Sequence, residues 1–106
     1  MIELLRYQRE DGRESFTDWL KAIRDKTAQA RIRVRLRQVE SGNFGDSKLV
    51  GEGVIELRFH VGAGYRVYCG RYETFAVLLC GGVKSTQRTD IERAKHLWSI
   101  WKRSQA

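Results

Sequence analysis

The stretch ELRFHVGAGYRVYCG, residues 56–70, limits the possible folds more than any other part of the chain. Apolar and polar residues alternate on both sides of a glycine-containing break. That period of two suits a strand with one buried face and not a helix. Leu57, Phe59 and Val61 fall on one side of the first run, and Tyr65, Val67 and Cys69 on one side of the second. Sharing a core face pairs Val61 with Tyr65 around a three-residue turn, Gly62-Ala63-Gly64, because a two-residue turn would turn one apolar set into water. In that register His60 faces Arg66 and Arg58 faces Tyr68 on the opposite side of the hairpin, with Glu56 next to Arg58. Two guanidiniums, an imidazole and a phenol on a rigid platform suit an anion site. Glu–Arg pairing on the wet face of an antiparallel sheet is the plainer alternative, and the hairpin alone leaves both open.

The rest of the chain supplies partners for this hairpin. IELLRY (Ile2–Tyr7) reads as an N-terminal strand. Ser15 and Asp18 have the spacing of a capping box, ahead of a helical stripe of Phe16, Trp19, Leu20 and Ile23 that predicts a helix from about Ser15 to Asp25. ARIRVRLRQV (Ala30–Val39) alternates with period two, yet Ala28, Ile32, Leu36 and Val39 also satisfy a helical stripe, and SGNFG is a natural helix stop. The expectation is a second helix, with Arg31, Arg33, Arg35 and Arg37 on a solvated face. KLVGEGV (Lys48–Val54) reads as a loop, Phe75–Cys80 as a third strand after the hairpin, and Gln87–Arg103 as a C-terminal helix with a stripe of Ile91, Ala94, Trp98 and Trp101. No linker or repeat divides the 106 residues, so a single domain is expected over 1–106.

Between strand and helix lies GGVKSTQRTD (Gly81–Asp90), with two glycines, a lysine, an adjacent Ser-Thr pair and a glutamine where backbone N–H groups favour anions. If the third strand lies beside the hairpin, Lys84 and Gln87 approach Arg58 and Arg66, which makes a pocket suited to a phosphodiester. The glycines lack P-loop spacing. A formal charge of +7, from 20 Lys and Arg against 13 Asp and Glu, also favours a polyanion such as nucleic acid. Cys69 and Cys80 lie in apolar runs without CxxC spacing, as expected of buried reduced thiols in a cytoplasmic protein and not of a metal site. Met1–Tyr7 is too short for a secretory signal, and Phe75–Cys80 is too short to span a membrane.

VIELRFHVGAGYRVYCG followed by LLCGGVKSTQRTDIERAKHLW resembles the addiction-module killer proteins, the HigB-like, phage Gp49-like branch of the RelE/ParE toxin superfamily. FTDWL and SGNFGDSKLVGEGV extend the resemblance over nearly the whole chain. It implies an α+β fold: a small, mostly antiparallel sheet on two N-terminal helices, plus a C-terminal helix. It also implies a metal-independent mRNA interferase without cofactors that cuts messages on the ribosome, and a cognate helix-turn-helix antitoxin of the HigA type. Arg58, Arg66 and Lys84 match the basic positions that act on the scissile phosphate, and His60 is the remaining candidate for proton transfer. Tyr68, Gln87, Lys48, Glu56 and Asp90 are the expected RNA contacts. Val83 stands where many relatives are expected to carry aspartate. The alternatives are a ParE-like toxin acting on DNA gyrase and an inactive RNA- or protein-binding relative.

Overall fold

In a computed structural model that describes residues 1–105, the chain runs β1 (Glu3–Arg6), α1 (Ser15–Ala22), α2 (Lys26–Glu40), β2 (Ser47–Gly51), β3 (Val54–Phe59), β4 (Tyr65–Tyr72), β5 (Phe75–Val83) and α3 (Gln87–Ser104). A single 3-10 turn, Lys84–Thr86, joins β5 to α3. The strands form one sheet in the order β1-β5-β4-β3-β2, with β1 parallel to β5 and every other pair antiparallel. This is the expected α+β architecture, and it is consistent with a RelE-like fold.

Strand alternation gives the sheet two apolar faces, and each is covered. Phe16 and Leu20 of α1 and Ile32, Leu36 and Val39 of α2 pack on Leu57, Phe59, Val67 and Leu78. On the other face, Ala94 and Trp98 of α3 pack on Val54, Tyr68, Val77 and Leu79. Trp98 lies on the bare backbone of Gly70, and Trp19 lies on Gly81 from the opposite side. These glycines are spaces for indole rings, so Gly81 is not part of an anion-binding strand end.

Pairing along β5 is offset by one residue: Tyr68 faces Cys80 while Cys69 faces Leu78, which leaves Leu79 as a bulge. One extra residue reverses the facing of everything after it. Cys80 joins the core beneath α3 and Gly82 comes against Asp90 of that helix.

The structure corrects four expectations. The hairpin pairs Phe59 with Tyr65, Arg58 with Arg66 and Glu56 with Tyr68, two residues away from the register read from the sequence. A shift of two leaves every side chain on the same face, so alternation cannot detect it. The turn is Val61–Gly64, closed by a Gly64 N–H to Val61 carbonyl bond of 3.1 Å, and His60 lies outside the ladder. KLVGEGV is not a loop: Lys48 pairs with Glu56 in β2, and its glycines mark a bulge at Gly51 and a tight turn at Glu52-Gly53, both with positive φ. No capping box forms at α1, which is preceded by Glu14 without a side-chain cap, while Asp18 bonds Arg13 at 3.0 Å. Asp25 instead caps α2 by accepting the Ala28 N–H at 3.1 Å. Finally, Arg35 is not a solvated residue. It donates to the carbonyls of Phe44, Asp46 and Arg58 and covers the Phe59 ring at 4.9 Å.

Candidate functional site

Glu56, Arg58, Arg66 and Tyr68 project from β3 and β4 toward α3. The register sets the two arginines directly opposite each other and Glu56 directly opposite Tyr68. Like charges facing across a ladder repel, so the pair needs a counter-charge. Glu56, fully buried, supplies it. Arg58 Nε donates to Glu56 Oε1 at 2.8 Å, while Tyr68 Oη and Gln87 Nε2 donate to Oε2 at 3.0 and 2.8 Å. Arg66 Nη1 stands 3.6 Å from Oε1, near enough for attraction but too far for a hydrogen bond.

The titration directions follow from this arrangement. Burial pushes the Glu56 carboxyl up, but bonds from Arg58, Gln87 and Tyr68, with the Arg66 charge, more than offset it and hold the group below its ordinary value. Burial, then the Glu56 charge, push the Tyr68 phenol far above its usual range. The Arg58 guanidinium is raised by its bond to Glu56. Glu56 is therefore an ionised anchor with its acceptors occupied, poorly suited to take a proton.

Arg66 is the unusual member. Its side chain is 10% exposed, and neither Nε nor Nη1 has a hydrogen-bond partner. Two cations thus share one carboxylate beneath α3, with buried N–H donors unused. Unpaired buried donors are costly and uncommon in folded proteins.

The other sequence-derived candidates are placed differently. Gln87, the first residue of α3, joins the cluster through Glu56. Lys84 lies exposed in the 3-10 turn beside Gly64, and Lys48 lies exposed on β2 across from Glu56. Asp90 accepts the Thr86 hydroxyl and rests against Gly82, in the first turn of α3. Tyr68, expected as an RNA contact, is wholly buried, so its ring offers no face for a nucleobase and its hydroxyl donates to Glu56. His60 is not brought to the arginine pair. It is 77% exposed, with Nε2 2.6 Å from Asp46 Oδ2, on the rim of a groove of about 460 Å³ that Arg58, Arg31 and Arg35 also line.

Sequence reasoning missed Asp46, Thr86 and Arg35. Only Arg35 carried a signal, since it sits three residues after Ile32 and four before Val39, at the edge of the buried stripe. Cys69 and Cys80 are buried free thiols, each pushed up to about 12 chiefly by burial. Among the described residues no three His, Cys, Asp or Glu side chains gather as a metal site requires, and no helix is long and apolar enough to cross a membrane.

Comparison with known proteins adds two findings. The model of the phage-derived protein Gp49-like family (DUF891) matches residues 18–98, which run from within α1 through the site to most of α3. A protein of Haemophilus influenzae, described only as uncharacterized, is 45% identical over 84 residues, covering 78% of this chain and 85% of that protein. The chain therefore belongs to the phage-derived Gp49-like family, within the RelE/HigB-like toxin superfamily.

Proposed function

We propose that the chain is the toxin of a type II toxin–antitoxin module of the HigB-like branch. In this reading it acts as a ribosome-dependent mRNA endonuclease and is held in check by a cognate helix-turn-helix antitoxin. The observation that carries the reading is Arg66, nine-tenths buried beside Arg58 with two N–H groups unengaged. A phosphodiester supplies both the acceptor oxygens and the negative charge that this pair lacks.

Cleavage by the neighbouring 2′-OH needs charge stabilised on the phosphorane, and preorganised donors do this best when they need not move. Arg58, half-buried and fixed through Nε, makes no hydrogen bond with its terminal nitrogens among the described residues. Arg66 would engage from beneath once Gln87 swings off Glu56, and exposed Lys84 would close the site from the strand end. Glu56 orients Arg58 and takes no proton. The His60–Asp46 pair, on the groove that Arg58 also lines, is the candidate for proton transfer.

Primer extension on a reporter mRNA in translating extracts tests this reading with wild type and Arg66→Ala. Ribosome-dependent cuts that fall about 100- to 1,000-fold in the variant are expected. Intact mRNA with the wild-type protein overturns the reading and directs the next assay to gyrase supercoiling.

A further inference from the structure

The free edge of β1 carries a second set of features, remote from the arginine pair in sheet order. In β1 the amides of Glu3 and Tyr7 bond the β5 side, at Thr74 and Leu78, so those of Leu4 and Arg6 face outward. The Ile2 amide has the same outward parity and is already occupied by the carbonyl of Glu40 in α2. The Arg6 side chain is folded away from this edge, donating to Thr17 and lying 5.3 Å from the Phe16 ring centre. The opposite edge of the sheet is different, because β2 is broken by its bulge at Gly51. Bulges and irregular turns blunt an edge, whereas β1 keeps a regular register over its full length.

Cavities lie above and below this edge. On the α3 side a space of about 540 Å³ has Leu97, Ile100 and Trp101 in its wall. On the α2 side a space of about 280 Å³ is walled by Arg33, Arg37 and Glu40 beside Leu4 and Arg6, so cations outnumber acids there. A third space along the strand shares Trp101 with the first and Leu4 and Arg6 with the second. Arg33 and Arg37 are exposed and form no ion pair among the described residues.

We propose that the β1 edge is a docking site for an extended segment of a partner protein in which acidic and apolar residues alternate. The segment adds a sixth strand to the sheet. Its backbone pairs with the outward groups of Leu4 and Arg6. Strand alternation sends its acidic side chains toward Arg33 and Arg37 and its apolar ones toward Ile100 and Trp101. A second copy of this chain fits less well, since it would bring its own +7 charge and its own free arginines to the same edge.

The test is fluorescence anisotropy with a labelled peptide of six alternating Glu and Val residues. Three probes accompany it: the same peptide with Lys for Glu, one N-methylated at alternate amides, and a short oligoribonucleotide as competitor. Arg6→Pro removes the outward amide, and Arg6→Ala removes only the side chain; circular dichroism verifies the fold of both. The expected result is salt-sensitive binding that Arg6→Ala preserves within about twofold and Arg6→Pro weakens about tenfold, the effect of one backbone bond. Binding is also lost on N-methylation and in Arg33→Glu/Arg37→Glu, whose exposed positions leave the core intact. Equal binding of the Lys peptide, indifference to N-methylation, displacement by the oligonucleotide, or dimerisation in place of peptide binding each overturns the proposal.

Discussion

Replacing Glu56 by Gln isolates what the buried charge contributes. The substitution keeps shape and volume, and its amide can still be satisfied: Tyr68 can rotate its hydroxyl and Gln87 can turn its amide to accept. What disappears is the counter-charge for Arg58 and Arg66. At 3.6 Å, the Arg66–Glu56 attraction is worth about 4–5 kcal/mol at an effective dielectric of 20. The restored solvation of the carboxylate in the unfolded state offsets part of that. Breaking a buried pair by removing one partner typically costs 3–5 kcal/mol, so with the hydrogen bonds retained a loss of about 3 kcal/mol at pH 7 is expected in urea unfolding.

The pH dependence gives this prediction a second arm. The folded Glu56 carboxyl titrates below its ordinary value, so its contribution is complete above the unfolded pKa of about 4.3 and is lost as pH falls through the folded one. The gap between wild type and Glu56→Gln is therefore widest at neutral pH and closes in acid, where the wild-type carboxyl is itself protonated. Added phosphate should restore part of the loss by occupying the freed arginines. A variant within about 0.5 kcal/mol of wild type at pH 7, or a gap constant from pH 7 to 3, refutes the charge argument, since ordinary surface substitutions already span that range.

Three further perturbations test other contacts. Gly70→Ala places a methyl group into the Trp98 ring and should lower stability by about 2–3 kcal/mol in thermal melts, whereas no change would mean that α3 is loosely held. Arg35→Ala leaves the Phe44, Asp46 and Arg58 carbonyls without their donor, a loss of about 2 kcal/mol, with faster hydrogen exchange confined to residues 41–46 and the end of β3. Arg66→Met replaces a buried cation that has unused donors by an apolar chain of similar reach. It should leave stability equal or raised by about 1 kcal/mol while removing phosphate stabilisation, and a loss of more than 2 kcal/mol would show Arg66 to be structurally paired.

Facing was legible in the sequence because it depends only on parity, and parity survived in β3 and β4. Register was not, because the loop gained two residues on the β3 side, His60 and Val61, without changing which residues are buried. The cluster of Glu56, Arg58 and Arg66 was reachable from facing alone, since all three lie on the α3 side under either register, and Gln87 joins it from α3 itself. The places of His60 and Tyr68 were not legible, for separate reasons. His60 depended on the ladder extending one residue further than it does. Tyr68 depended on burial by α3, which alternation within the hairpin cannot report. Gly81 and Gly82 read as anion-binding residues, but their meaning comes from the Trp19 ring and the Asp90 carboxylate packed on them from distant helices.

The bulge at Leu79 connects these observations. Without it Gly81 would face α3 and Gly82 would face α1, and the end of β5 would present neither the space for Trp19 nor the seat for Asp90. With it the strand leaves the sheet on the side of the arginines, so the 3-10 turn and the first turn of α3 form one wall of the site and Gln87 reaches Glu56. The same geometry closes α3 over Arg66 and leaves that guanidinium with donors the protein does not use. An apolar residue would serve stability better at this point, since Arg66 Nε and Nη1 are buried without a hydrogen-bond partner. A fold optimised only for its core would not retain such a charge. Its retention is intelligible when the missing counter-charge arrives with the ligand, in which case binding a phosphodiester and completing the core are the same event.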